Sequence, residues 1–146
     1  MSETQVELNT FGAIIRFAIE LETTITGFYK QIEDVQTTEL FRTLGNLHKR
    51  RIAILEEILR EKLNELILEP ISGLNIDKYS IEMVELSVMD NSQISQIKEF
   101  AISIEKKSEN FYLDSAKLAK SFSAEVTRIF ERFGRENKLN VEKLKS

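Results

Sequence analysis

The chain has no cysteine. That absence removes a disulfide framework, a thiol nucleophile, an iron-sulfur cluster and any zinc or iron module held by four thiolates. Breakers are scarce as well: one proline and five glycines among 146 residues, with 30% charged side chains, suit long solvated helices better than a sandwich or barrel. No run approaches the roughly 18 consecutive apolar residues of a membrane span. The polar, acidic start MSETQVELNT lacks the basic-then-apolar pattern of a signal peptide. A soluble cytoplasmic protein with no membrane partner is expected. Nor is there a basic excess: the formal net charge is −4, so a nucleic acid finds no electrostatic footprint beyond local clusters, and none is expected as a partner. Gly-rich phosphate loops, dinucleotide fingerprints and constellations of Ser, Thr or Lys nucleophiles are missing too.

What the chain does have is an internal repeat. Phe17-Ala18-Ile19, Glu22 and Phe28-Tyr29 return as Phe100-Ala101-Ile102, Glu105 and Phe111-Tyr112, each displaced by 83 residues. A second echo follows each copy: Leu40-Phe41-Arg42 and Leu44 answer to Ile129-Phe130-Glu131 and Phe133, displaced by 89. Each half therefore reads as a helix pair, and two such pairs with a glutamate ahead of an aromatic doublet are the plan of a bundle expected to build a metal site on its pseudo-twofold axis.

The periodicity supports four helices. From about 10 to 34, Ile14, Phe17, Leu21, Ile25, Phe28 and Ile32 recur at steps of three and four, an amphipathic stripe. Phe41, Leu44, His48, Arg51, Leu55 and Ile58 repeat that spacing to about 64. A third helix, from about 92 to 120, turns Ile97, Ala101, Ile104, Ser108, Phe111 and Ala119 inward, and a fourth, from about 123 to 143, does so with Val126, Phe130, Phe133, Asn137, Asn140 and Leu144. The second and fourth stripes turn polar midway. Short links make each pair antiparallel. The link between pairs, about 65–91, is long and holds the only proline, Pro70, then Gly73 and an Ile81–Met89 segment expected as a short crossing helix. The expected fold is a single all-α domain over 1–146: two helix hairpins, about 10–64 and 92–144, joined by one long crossover.

Ala18-Ile19, Glu22, Phe28-Tyr29, Leu40-Phe41-Arg42, Leu44, Leu55-Glu56-Glu57, Glu69-Pro70 and Gly73-Leu74, in this order, resemble the ferritin-like proteins of the rubrerythrin type. The resemblance runs from about Phe11 to Leu144 and implies a ferritin-like four-helix bundle. In that family each pair supplies one glutamate from its first helix and a Glu-x-x-His from its second, seven and ten residues after the phenylalanine, and the six side chains hold two iron ions. The resemblance places the lone glutamates on Glu22 and Glu105. Seven and ten residues after Phe41, however, stand His48 and Arg51, and the same steps after Phe130 reach Asn137 and Asn140.

The substitutions change the chemistry. An intact centre carries four carboxylates to neutralise two iron ions, whereas Glu22, Glu105 and Arg51 leave −1 with neutral His48 and zero with His48 protonated. A buried carboxylate needs a partner, and Arg51 can provide it for one or both glutamates. The expected protein is a non-catalytic binding or structural domain with a degenerate di-iron site, working as a homodimer and needing no cofactor. The alternative keeps a single iron, zinc or manganese ion on Glu22, His48 and Glu105, for oxygen or peroxide chemistry or for iron handling. Asn137 and Asn140 are expected to bond each other, Tyr29 or Tyr112, and the carboxylates. Tyr29 and Tyr112, seven residues after their glutamates, are expected on the same face. The electron-feeding rubredoxin module that full rubrerythrins carry needs paired CxxC motifs, which are absent.

Overall fold

The computed structural model describes residues 7–35, 39–62, 70–81 and 94–146. A short strand β1 (Glu7–Thr10) leads into helix α1 (Phe11–Val35), followed by α2 (Glu39–Glu61). Strand β2 (Pro70–Asn75) and a 3-10 turn (Ile76–Lys78) lie in the crossover, and α3 (Ile94–Ala119) and α4 (Ala124–Lys145) complete the chain. The architecture is an all-α four-helix bundle of two closely packed hairpins, α1 with α2 and α3 with α4. Among the described residues no helix is long and apolar enough to cross a membrane.

Local chemistry starts and stops these helices. The Thr10 hydroxyl accepts from Ala13 N at 3.1 Å and caps α1, and Ser123 Oγ accepts from Val126 N at 3.1 Å and caps α4. Acidic Glu39 and Glu125 open α2 and α4 while Arg60, Lys143 and Lys145 close them, which suits the helix dipole. Every residue of the stripes read on α2 and α4 is buried, His48, Arg51, Asn137 and Asn140 included. On α1 the stripe is buried except for Phe17, which is only partly so.

The two hairpins face each other around the axis that the repeat implies. Phe17 packs on Phe111 at 5.3 Å between ring centroids and Phe28 on Phe100 at 5.4 Å. Under the displacement of 83 these two contacts are images of one another, and they set α1 antiparallel to α3. It follows that α2 and α3 run in the same direction, so the connection between them must travel the length of the bundle.

A glycine sits at matching places in both second helices, Gly45 and Gly134, 89 residues apart. A Cβ at Gly45 would lie 3.1 Å from Tyr29 Cβ, and one at Gly134 would lie 2.8 Å from Leu113 Cδ2. Each glycine thus lets its helix approach the other member of the pair. The change of displacement from 83 to 89 is also accounted for. Of the six additional residues in the second half, one extends α3 beyond its aromatic doublet, one lies in the link, and four precede Phe130 within α4.

The crossover holds a small ribbon that the helical reading did not anticipate. β2 pairs antiparallel with β1, with Glu7 opposite Asn75, Leu8 opposite Leu74 and Thr10 opposite Pro70, and the register is irregular between Leu8 and Thr10. Pro70, which has no N–H, stands at the first position of its strand, where that loss is tolerated. Tyr79 then anchors the crossover to α3. Its buried ring meets Phe111 edge-on at 5.3 Å, its hydroxyl donates to Asp114 Oδ2 at 2.6 Å, and Lys107 Nζ donates to Ser80 O at 2.7 Å. The Ile81–Met89 helix expected from the sequence lies, beyond Ile81, outside the described residues, as do the outer limits near 64 and 92.

Candidate functional site

The polar residues of the four stripes meet in the middle of the bundle. Glu22 on α1, His48 and Arg51 on α2, Glu105 on α3 and Asn137 and Asn140 on α4 are each at most 1% exposed, as are Tyr29 and Tyr112. All eight are joined by hydrogen bonds.

Glu105 accepts four donors. Its Oε2 takes the Tyr29 hydroxyl at 2.7 Å and His48 Nε2 at 2.8 Å, and its Oε1 takes Asn137 Nδ2 at 2.7 Å and Asn140 Nδ2 at 3.1 Å. That fills the lone-pair sites of a carboxylate. Glu22 accepts three: His48 Nδ1 at 2.5 Å on Oε1, with the Tyr112 hydroxyl at 2.5 Å and Arg51 Nη1 at 3.1 Å on Oε2. Each tyrosine bonds the glutamate of the opposite hairpin, so the two Tyr-Glu pairs exchange under the pseudo-twofold. Sequence spacing alone had placed each tyrosine only along its own helix.

His48 lies between the two carboxylates with one ring nitrogen on each. An ionised carboxylate only accepts, so both nitrogens donate and the ring is an imidazolium. Burial opposes that charge, but Glu105 and Glu22 outweigh it and push the His48 pKa up to about 9. Burial would likewise raise Glu105, yet His48 and the bonds from His48, Tyr29 and Asn137 bring it down to about 2. Glu22 is also lowered, the burial effect being exceeded by the charges of His48 and Arg51. Burial and the neighbouring carboxylates hold Tyr29 and Tyr112 well above the ordinary phenol value. Both stay neutral donors and neither is poised as a base.

Arg51 spans the two hairpins. Besides Glu22, Nη1 donates to Asn137 Oδ1 at 3.2 Å, and Nη2 donates to Phe133 O at 2.7 Å and to Glu136 Oε1 at 3.1 Å. Its guanidinium carbon lies 4.5 Å from the Phe133 ring centre and 5.2 Å from that of Tyr112, within cation-π range. Burial opposes its charge but Glu22 more than compensates, and its pKa is raised further. Of the two core glutamates it reaches only Glu22. Asn137 and Asn140 bond Glu105 rather than each other or a tyrosine, and Asn137 Oδ1 also accepts from Ser108 Oγ at 3.2 Å.

Three participants escaped the sequence reading of the site. Ser108 was visible as an inward residue one turn after Glu105, but a hydroxyl there carries no signal of what it bonds. Glu136 lies beside the α4 stripe and reaches Arg51 from a side chain that is 35% exposed. The Phe133 carbonyl is backbone, which no side-chain pattern reveals.

The four charged core groups sum to zero, two carboxylates against an imidazolium and a guanidinium. A di-iron centre is a poor fit to this donor set: two ions bring about four positive charges, and the pocket already holds two cations of its own. A single ion meets a different obstacle. It can take only one ring nitrogen of His48, and Glu22 and Glu105 bond opposite nitrogens. Among the described residues no group of three or more His, Asp or Glu side chains is arranged to hold a metal ion. Comparison with known proteins returned no matching family model, no matching curated sequence and no matching solved structure.

Proposed function

We propose that this is a ferritin-like bundle of the rubrerythrin type in which an internal ion-pair network stands where relatives hold two irons, and that it acts as a non-catalytic binding or structural protein. One observation carries the proposal. His48 donates to both core glutamates at once and Arg51 adds a second cation, so the pocket is electroneutral with no metal. Its carboxylates have no free acceptor left for substrate chemistry near Glu105, and its tyrosines are neutral. We propose further that the protein is cytoplasmic and works as a homodimer without a resident cofactor, the dimer to be tested by sedimentation equilibrium. The decisive experiment is metal content by mass spectrometry on protein purified without chelator, followed by anaerobic ferrous titration. No stoichiometric metal is expected. Two irons per chain with an oxo-bridged absorption band would overturn the proposal.

A second reading is favoured by the convergence of two carboxylates on one imidazole. It places a single iron, zinc or manganese ion on Glu22, His48 and Glu105, for oxygen or peroxide chemistry or for iron handling. It requires the His48 ring to turn and Arg51 to withdraw from Glu22. One tight metal per chain would support it. Bound metal and peroxidase activity that both survive His48→Ala would end it.

A further inference from the structure

The ring contacts between the two hairpins do not tell one hairpin from the other. Phe17 matches Phe100 and Phe28 matches Phe111, so the ring contacts Phe17 to Phe111 and Phe28 to Phe100 would form equally well between two N-terminal or two C-terminal hairpins. The Tyr29 to Glu105 and Tyr112 to Glu22 bonds would be reproduced in either case, since each hairpin brings one tyrosine and one glutamate. The glycines at matching places, Gly45 and Gly134, each lie against the first helix of their own pair, at Tyr29 and Leu113 respectively. At the axis the first helices carry the same glutamate and tyrosine and differ where Ser108 of α3 meets Asn137, the matching residue of α1 being Ile25, whereas the charges differ on the second helices alone. α2 brings two cations, His48 and Arg51, and α4 brings two amides, Asn137 and Asn140, at the equivalent places.

The difference makes each hairpin charged on its own face. Counting fully buried groups, the N-terminal hairpin holds one carboxylate against two cations, a surplus of +1, and the C-terminal hairpin holds Glu105, −1, with Glu136, 35% exposed, meeting Arg51 at the edge. Two N-terminal hairpins packed together would bury +2 and two C-terminal hairpins −2, whereas the observed pairing buries zero. Buried charge left without a partner is strongly unfavourable. The bonds that cross the interface run accordingly: His48 to Glu105, and Arg51 to Asn137, the Phe133 carbonyl and Glu136.

We infer that the polar core is a pairing code, by which the N-terminal hairpin accepts a C-terminal hairpin, its own or that of a second copy, and rejects its own kind. The inference goes beyond the proposed function, because it depends on where the charges sit and would hold whether or not the bundle once carried metal. It follows the general rule that specificity between similar partners needs an element that disfavours the wrong one. It also constrains any exchange of hairpins between copies, since only N-with-C pairing is neutral.

The test uses full-length chains. H48N/R51N leaves the core at −2 and N137H/N140R takes it to +2, while the four changes together move both cations to α4 and return it to zero. A second neutral chain, E22Q/H48N/R51N/E105Q, removes all four charges, its glutamines keeping the shape of the glutamates and its asparagines repeating those that α4 carries at the matching places. Urea midpoints are read by circular dichroism, and the species formed on refolding are read by native mass spectrometry. Each double variant is expected to lower the midpoint, and at least one neutral chain is expected to regain half or more of that loss. The all-amide chain, having lost its discrimination, is expected to refold to several assemblies where the native chain gives one pattern. If both neutral chains unfold as early as the charged doubles, or if the all-amide chain refolds to the native pattern alone, the inference fails.

Discussion

Arg51 ties α2 to α1 through Glu22 and to α4 through three separate acceptors. Truncating it leaves Glu22 and the Phe133 carbonyl short of a donor in a buried core. Arg51→Ala is therefore expected to cost about 3 to 5 kcal/mol, measured by urea unfolding; a cost near zero would mean that the carboxylates find other partners. His48 supplies the pH dependence. Its pKa in the folded chain, about 9, lies above the ordinary 6.5. Its contribution is therefore complete below pH 6.5 and lost as the pH rises through 9, a change of roughly 3 kcal/mol. Glu105 acts in the opposite sense, being held at about 2 against an ordinary 4.5. Its contribution is complete above pH 4.5 and lost as the pH falls towards 2. From these two groups the unfolding free energy should be largest between pH 4.5 and 6.5. Unfolding curves at pH 6, 8 and 10 test the alkaline limb, and a His48→Asn chain should show a much flatter dependence over that range.

At the scale of the helices, the two axial glycines are not equivalent. Alanine is a better helix former than glycine by about 1 kcal/mol, but the new methyl meets different neighbours. At Gly134 it meets the tip of Leu113, a side chain 37% exposed and free to turn away. At Gly45 it meets Tyr29 Cβ, close to the backbone of α1 and on the residue whose hydroxyl holds Glu105. Gly134→Ala is expected to be neutral or slightly stabilising, and Gly45→Ala to destabilise by roughly 1 kcal/mol. Thermal unfolding of the two variants side by side would show it, and equal shifts would contradict the packing argument. The helices themselves are legible in the chain because a period near 3.6 persists over long stretches, and His48, Arg51, Asn137 and Asn140 interrupt it at the positions that the structure buries. The β1–β2 ribbon is not legible. Its strands are short, lie far apart in sequence and lack a clean alternation, so the pairing depends on how the crossover returns past the start of α1. The crosswise Tyr-Glu bonds are hidden for a related reason: spacing shows which face a residue occupies, and only the antiparallel packing of α1 on α3 decides which glutamate that face meets.

At the scale of the whole molecule, the charge distribution around the axis allows the proposed relation to di-iron bundles to be tested. H48E/R51H/N137E/N140H would replace two cations and two amides by two carboxylates and two imidazoles, leaving four buried carboxylates with nothing to neutralise them. Such a chain is expected to be poorly folded alone, to fold when ferrous or cobaltous ion is added, and to bind two ions per chain by mass spectrometry. Folding without metal, or failure to bind it, would count against the proposed correspondence of these residues to a di-iron ligand set.

The hydroxyl partners of the tyrosines have an optical consequence. The chain has three tyrosines and no tryptophan, and Tyr29, Tyr79 and Tyr112 each donate to a carboxylate, on Glu105, Asp114 and Glu22. Ionising any of them in the folded bundle would set a phenolate against an existing negative charge, and all three are shifted upward. In an alkaline titration the near-ultraviolet phenolate band should therefore stay dark through the range where free tyrosine ionises, then appear in a single step as the helices come apart. The protein carries its own colour indicator for the integrity of its core.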